Sequence, residues 1–84
     1  MKICNLRHTC DACPSQWEGQ TIHGGTVYVR YRGGRLTVHI GEIGASVLDT
    51  VKSGVIFYEG VHGDDLDGSI QWEMVEYITG LEAV

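Results

Sequence analysis

Thr26-Val27-Tyr28-Val29-Arg30-Tyr31-Arg32-Gly33-Gly34-Arg35-Leu36-Thr37-Val38-His39-Ile40 consists of two strand-like runs joined by a glycine pair. The runs are rich in β-branched and aromatic residues, which fit a pleated, half-buried surface. Gly33-Gly34 is a dipeptide that a two-residue hairpin needing φ > 0 at both turn positions prefers. Such a turn pairs Arg32 with Arg35, Tyr31 with Leu36, Val29 with Val38 and Val27 with Ile40. Val27, Val29, Tyr31, Leu36, Val38 and Ile40 then share one face, and Tyr28, Arg30, Arg32, Thr37 and His39 share the other. A slip of one residue would destroy this segregation, so the register is internally fixed.

Working outward, Gln16 to Ile22 reads as a preceding strand, which makes residues 15–42 a three-stranded antiparallel meander. A three-residue loop around His23-Gly24-Gly25 would pair Thr21 with Val27 and turn Trp17 to the core. A two-residue Gly24-Gly25 turn would bury Ile22 instead. The first is preferred, because a buried tryptophan contributes more to a small core. Residues 43–84 read as helix, strand, helix. Ala45 to Ser53 places Val47, Leu48 and Val51 on one side, with Gly54 beyond its end. Val55 to Glu59 is a fourth strand. Ser69 caps a final helix, Ile70 to Thr79, closed by Gly80, whose Met74, Val75, Ile78 and Leu81 form a stripe for the sheet. The expectation is an α+β fold, a single domain over residues 1–84, with both helices on one sheet face and residues 1–14 as a cysteine-containing arm.

At 84 residues the chain suits one domain with a small core. Its 43% hydrophobic and 20% charged content excludes a disordered chain, and no apolar run is long enough to cross a bilayer. The N-terminus has no apolar secretion segment, so a cytoplasmic location is expected. The net charge of −5 is unevenly spread. Residues 1–42 carry five basic and three acidic side chains, whereas residues 43–84 carry Lys52 against eight carboxylates. An acidic half of this kind either keeps the protein soluble or faces a basic partner.

Cys10-Asp11-Ala12-Cys13 has the spacing that lets two thiolates point at one tetrahedral metal, with Cys4 and with His8 or His23 completing a structural zinc site. A second cysteine pair is missing, and three plain thiols in an N-terminal arm account for the same residues. A redox role needs a helix after the motif, and here a strand follows. Gly63-Asp64-Asp65-Leu66-Asp67-Gly68 lacks the first and twelfth ligands of a calcium loop, and reads as a loop leading into a helix. Tyr28, Arg30, Arg32 and His39 on one strand face offer the arginine and aromatic mixture used on single-stranded nucleic acid. His8, His23, His39 and His62 have no nucleophile at a recognisable spacing, so an enzyme is not expected.

The run Cys10-x-x-Cys13-Pro14-Ser15-Gln16-Trp17-Glu18-Gly19, followed by Tyr28-Val29-Arg30-Tyr31-Arg32 and the second hairpin strand, resembles small uncharacterised proteins encoded by phages and bacterial genomes. The likeness covers residues 10–42, with a looser one over residues 63–68 and the helix after them. It implies a small phage-associated accessory protein, and it assigns no site residue. Some compact acidic phage proteins, anti-CRISPR proteins among them, bind host defence complexes. The expected function is therefore non-enzymatic binding of a host protein with a basic surface, through Glu59, Asp64, Asp65, Asp67, Glu73 and Glu76. The alternative is a zinc-stabilised module holding zinc with Cys4, Cys10, Cys13 and His8 and nucleic acid on the Arg30/Arg32 face. Self-association through the sheet edges is a third possibility.

Overall fold

A computed structural model describes residues 1–11, 15–64 and 67–84, with only the backbone of Asp11. The elements are β1 (Lys2–Asp11), β2 (Ser15–Thr21), β3 (Gly25–Arg32), β4 (Arg35–Ile43), α1 (Val47–Ser53), β5 (Val55–Val61), α2 (Trp72–Thr79) and β6 (Glu82–Ala83). The strands form one curled sheet, a half-barrel, in the order β5-β4-β3-β2-β1-β6. Neighbours are antiparallel except β1 and β6, which run parallel.

The β3–β4 hairpin has the register read from its alternation: Arg32 opposes Arg35, Tyr31 Leu36, Val29 Val38 and Val27 Ile40. Gly33 and Gly34 both take positive φ, 59° and 75°, where only glycine avoids a Cβ clash. Trp17 is buried as expected, but its strand sits two residues away from the expected register. It opposes Val29, and Gly19, not Thr21, opposes Val27. Thr21 explains the shift. Its hydroxyl accepts from the Gly25 N–H at 3.0 Å and the His23 N–H at 3.3 Å, which fixes a turn over residues 22–24.

Ile3, Trp17, Val27, Val29, Tyr31, Leu36, Val38, Val75 and Leu81 form the core on the concave face. Helix α2 closes it, with Val75 fully buried and Trp72 and Ile78 packed at the margin. Trp17 is held between two rings: His8 stacks on it at 4.5 Å, and Trp72 tilts against it at 5.5 Å.

Several expectations are corrected. The cysteine-containing segment is not an arm, because residues 2–11 are strand β1, paired with β2 along its length. Two bulges, at residues 5–6 and at Thr9, interrupt its alternation, and Asn5 takes φ 53° in the first. Helix α2 starts at Trp72 behind Gln71, two residues later than the expected start at Ile70 behind Ser69. Met74 of its stripe is exposed. Helix α1 is capped by Ser46, whose side chain accepts from the Asp49 N–H, and its one buried residue is Thr50. Leu48 and Val51, expected to pack, face solvent. Gly54 follows α1 in an extended conformation, not a left-handed one.

The two helices also do not share a face. Thr26 alternates with core residue Val27, and so points away from the core, where its hydroxyl donates to the Ala45 carbonyl at 2.6 Å just ahead of α1. Thr50 lies where a side chain at Gly41 would project, on that same side. Finally, β6 was not foreseen. The Glu82 N–H donates to Met1 O and the Val84 N–H to Ile3 O, both at 2.9 Å.

Candidate binding groove

Helix α2 covers the middle of the concave face and stops short of β5. Between them lies a groove of about 710 Å3, whose walls include Tyr31, Tyr58, His62, Asp67, Met74 and Tyr77. Val38 is a core residue and opposes Tyr58, so Tyr58 and, by alternation, Gly60 and His62 face the groove from β5 and its continuation. From the other wall, Met74 and Tyr77 project off α2, and Tyr77 is 86% exposed. The loop between β5 and α2 is stitched to the rest of the sheet at fixed points. The Gly34 N–H donates to Asp67 O at 2.8 Å, the His62 N–H to Gly34 O at 2.7 Å and the Ser15 N–H to Gly68 O at 2.9 Å.

Two polar pairs lie in this groove. The Tyr31 hydroxyl donates to Asp67 Oδ2 at 2.7 Å. Burial, then the Asp67 bond and charge, then the Asp64 charge push this phenol up to about 12. The Tyr58 hydroxyl bonds His62 Nε2 in the second pair. Each pair depends on a glycine. A side chain at Gly63 would meet Asp67 and the Tyr31 hydroxyl, and one at Gly60 would meet Tyr58 and His62. The groove thus presents aromatic and thioether surface with a few fixed polar groups, the make-up of a recognition site. The imidazole is engaged by a phenol, and among the described residues no serine or thiol bonds to it.

The acidic residues singled out from sequence have different local surroundings. Asp67 is tied to Tyr31. Glu76 Oε2 accepts from Trp72 Nε1 and from the Ala83 N–H, both at 2.8 Å, and these bonds, the Ala83 one foremost, hold its carboxyl below the usual range. Glu59, Asp64 and Glu73 are exposed on β5, the loop and α2, and Asp65 lies outside the described residues. Beside the groove, β5 is an edge strand with Val55, Ile56, Phe57 and Val61 exposed. The pairs Tyr31–Asp67 and Tyr58–His62 were missed from sequence. The second had a readable signal, since Tyr58, Gly60 and His62 recur at the strand period of two.

Tyr28, Arg30, Arg32 and His39 do share the convex face, as expected. Tyr28, however, is only 9% exposed, and burial raises its phenol against the opposing influence of Arg30. Its ring is not available as a stacking platform. Cys4 and Cys10 lie near opposite ends of β1, roughly 15–20 Å apart at the rise of a strand, too far to share one ion. His8 faces the other side, against Trp17, and Cys13 lies outside the described residues. Among the described residues no three His, Cys, Asp or Glu side chains gather as metal ligands. No helix among them is long and apolar enough to cross a membrane. No protein-family model, curated protein or solved structure matches the chain.

Proposed function

We propose that the protein is a non-enzymatic binding module that engages a host protein in the phage-associated setting its sequence resembles. It seats an extended, lysine- or arginine-bearing segment of that protein along β5. The observation that carries this reading is the apolar edge of β5 running beside the groove. An added strand would pair with the open backbone of β5, and every second side chain would enter beside Tyr58 and Tyr77. Natural sheet edges are usually blunted by lysine, proline or brevity. β5 has seven residues, neither of those residue types, and one carboxylate, Glu59.

Charge selects the occupant. Residues 53–84 contain seven carboxylates and no lysine or arginine, so the strand, the loop and α2 together present a negative field. A second copy would set this field against itself, whereas a cationic strand complements it. Binding of a ten-residue peptide alternating lysine with valine, followed by fluorescence anisotropy, tests the reading. The peptide is expected to bind at low salt, to weaken steeply as salt rises, and to lose about tenfold in affinity to a Glu59→Lys, Glu73→Lys variant. Equal affinity for a glutamate–valine peptide, or sedimentation of the free protein as a dimer, would sink it.

A further inference from the structure

The hairpin register brings a second, opposite kind of site together on the convex face. Arg32 lies directly across from Arg35, and Arg30 directly across from Thr37. These four residues line a small notch of about 210 Å3 at the turn end of the sheet. Like charges directly opposite one another on a sheet destabilise it, so the Arg32–Arg35 pair is costly as it stands. Among the described residues, the ion pair of this face joins Arg7 to Glu18, and none reaches the three arginines. Glu59, across from Thr37 on β5, is the nearest carboxylate along the row, and it forms no ion pair with them. Arg30 Nε is buried with no acceptor.

Three guanidinium groups and the Thr37 hydroxyl, which donates to the Arg30 carbonyl at 3.5 Å, line this small space. Guanidinium forks match tetrahedral oxyanions through paired N–H donors. We propose that this notch binds a compact oxyanion of the phosphate class, free or as the terminal phosphate of a small molecule. Arg32 and Arg35 clasp it from the two strands, and Arg30 adds a third guanidinium charge to the lining. Tyr28, nearly buried beside the notch, gives no ring for a nucleobase to stack on, which favours a small phosphate over a nucleic-acid strand. The notch lies on the face opposite the groove, with Glu59 at the sheet edge between them.

Calorimetric titration of the full chain with inorganic pyrophosphate at low ionic strength tests this. One pyrophosphate per chain is expected, weakened about tenfold by Arg35→Gln or by Arg30→Gln, and tightened by Glu59→Gln. Arg35→Gln also relieves the cross-strand repulsion, so it is expected to unfold at a higher temperature than wild type without ligand, which shows that its lost binding is not lost folding. No binding to wild type, or equal binding to Arg35→Gln, would overturn the proposal. Tighter binding of a single-stranded oligonucleotide than of pyrophosphate would overturn it in favour of nucleic acid.

Discussion

Tyr31 shows how one side chain serves two purposes. Its ring fills the core next to Leu36, and its hydroxyl ties the β5–α2 loop to the sheet through Asp67. Because burial and the carboxylate favour the neutral phenol, its contribution to stability is fully present below pH 10. It is lost as pH rises towards its folded value of about 12. Tyr31→Phe is therefore expected to be less stable at pH 7 by about 1–3 kcal/mol. Its stability should also fall less steeply between pH 10 and 12, as followed by denaturant unfolding at each pH. Gly34 is a second single-residue dependence. It combines positive φ with close approach to the Gly63 carbonyl, so Gly34→Ala meets both a backbone penalty and a clash. Thermal or denaturant unfolding is expected to show a loss of roughly 2–4 kcal/mol. The turn at Gly33-Gly34 was legible from its residues alone. The docking of Gly63 and Asp67 onto it was not, because those partners come from about 30 residues further along the chain.

At the scale of elements, legibility followed regularity. β3 and β4 keep the strand period almost without a break, and their pairing could be read directly. β1 could not, because bulges at residues 5–6 and at Thr9 put Arg7 on the same face as Cys4 and Cys10, against simple alternation. The periodicity of α1 picked out Val47, Leu48 and Val51 as the packing side, but the buried residue of the helix is Thr50, and Leu48 remains 62% exposed. β6 has two residues, too few to carry any pattern. It is held partly by a side chain, since Glu76 accepts the Ala83 N–H. These bonds lower the folded-state value of Glu76, so its contribution is present above the usual glutamate range and is lost as pH falls through the folded value. Glu76→Gln is expected to raise amide exchange at Ala83 while leaving Val29 and Val38 protected. Unchanged exchange at Ala83 would mean that the backbone ladder alone holds the strand.

Taken whole, the molecule divides its charge between its two faces and its two halves. The convex hairpin face gathers Arg30, Arg32 and Arg35, while the segment from β5 onward carries only negative charge. Net charge alone, −5, hides this arrangement. The asymmetry was visible in the order of residues along the chain. The groove was not, since its walls come from β3, β5 and α2, and only folding sets them opposite one another. Away from Glu59, which borders both, the two proposed sites should respond independently. Charge reversal at Glu73 is expected to change peptide binding and leave pyrophosphate binding within about twofold, because separate sites contribute additively. Parallel titrations of the one variant check this.

The pairing of β1 with β6 also sets an order of assembly. β2 to β5 are joined in sequence to their sheet neighbours, so their contacts close short loops, whereas the Met1 amine meets Gly80 O across 79 residues. Closing that span costs the most chain entropy and is rewarded by two paired residues, so it comes after the hairpins have formed. Leu81 is drawn into the core by the same step. The closure of β1 with β6 is thus expected to come late in folding, with the C-terminal turn of the chain latching the core in time as well as in space.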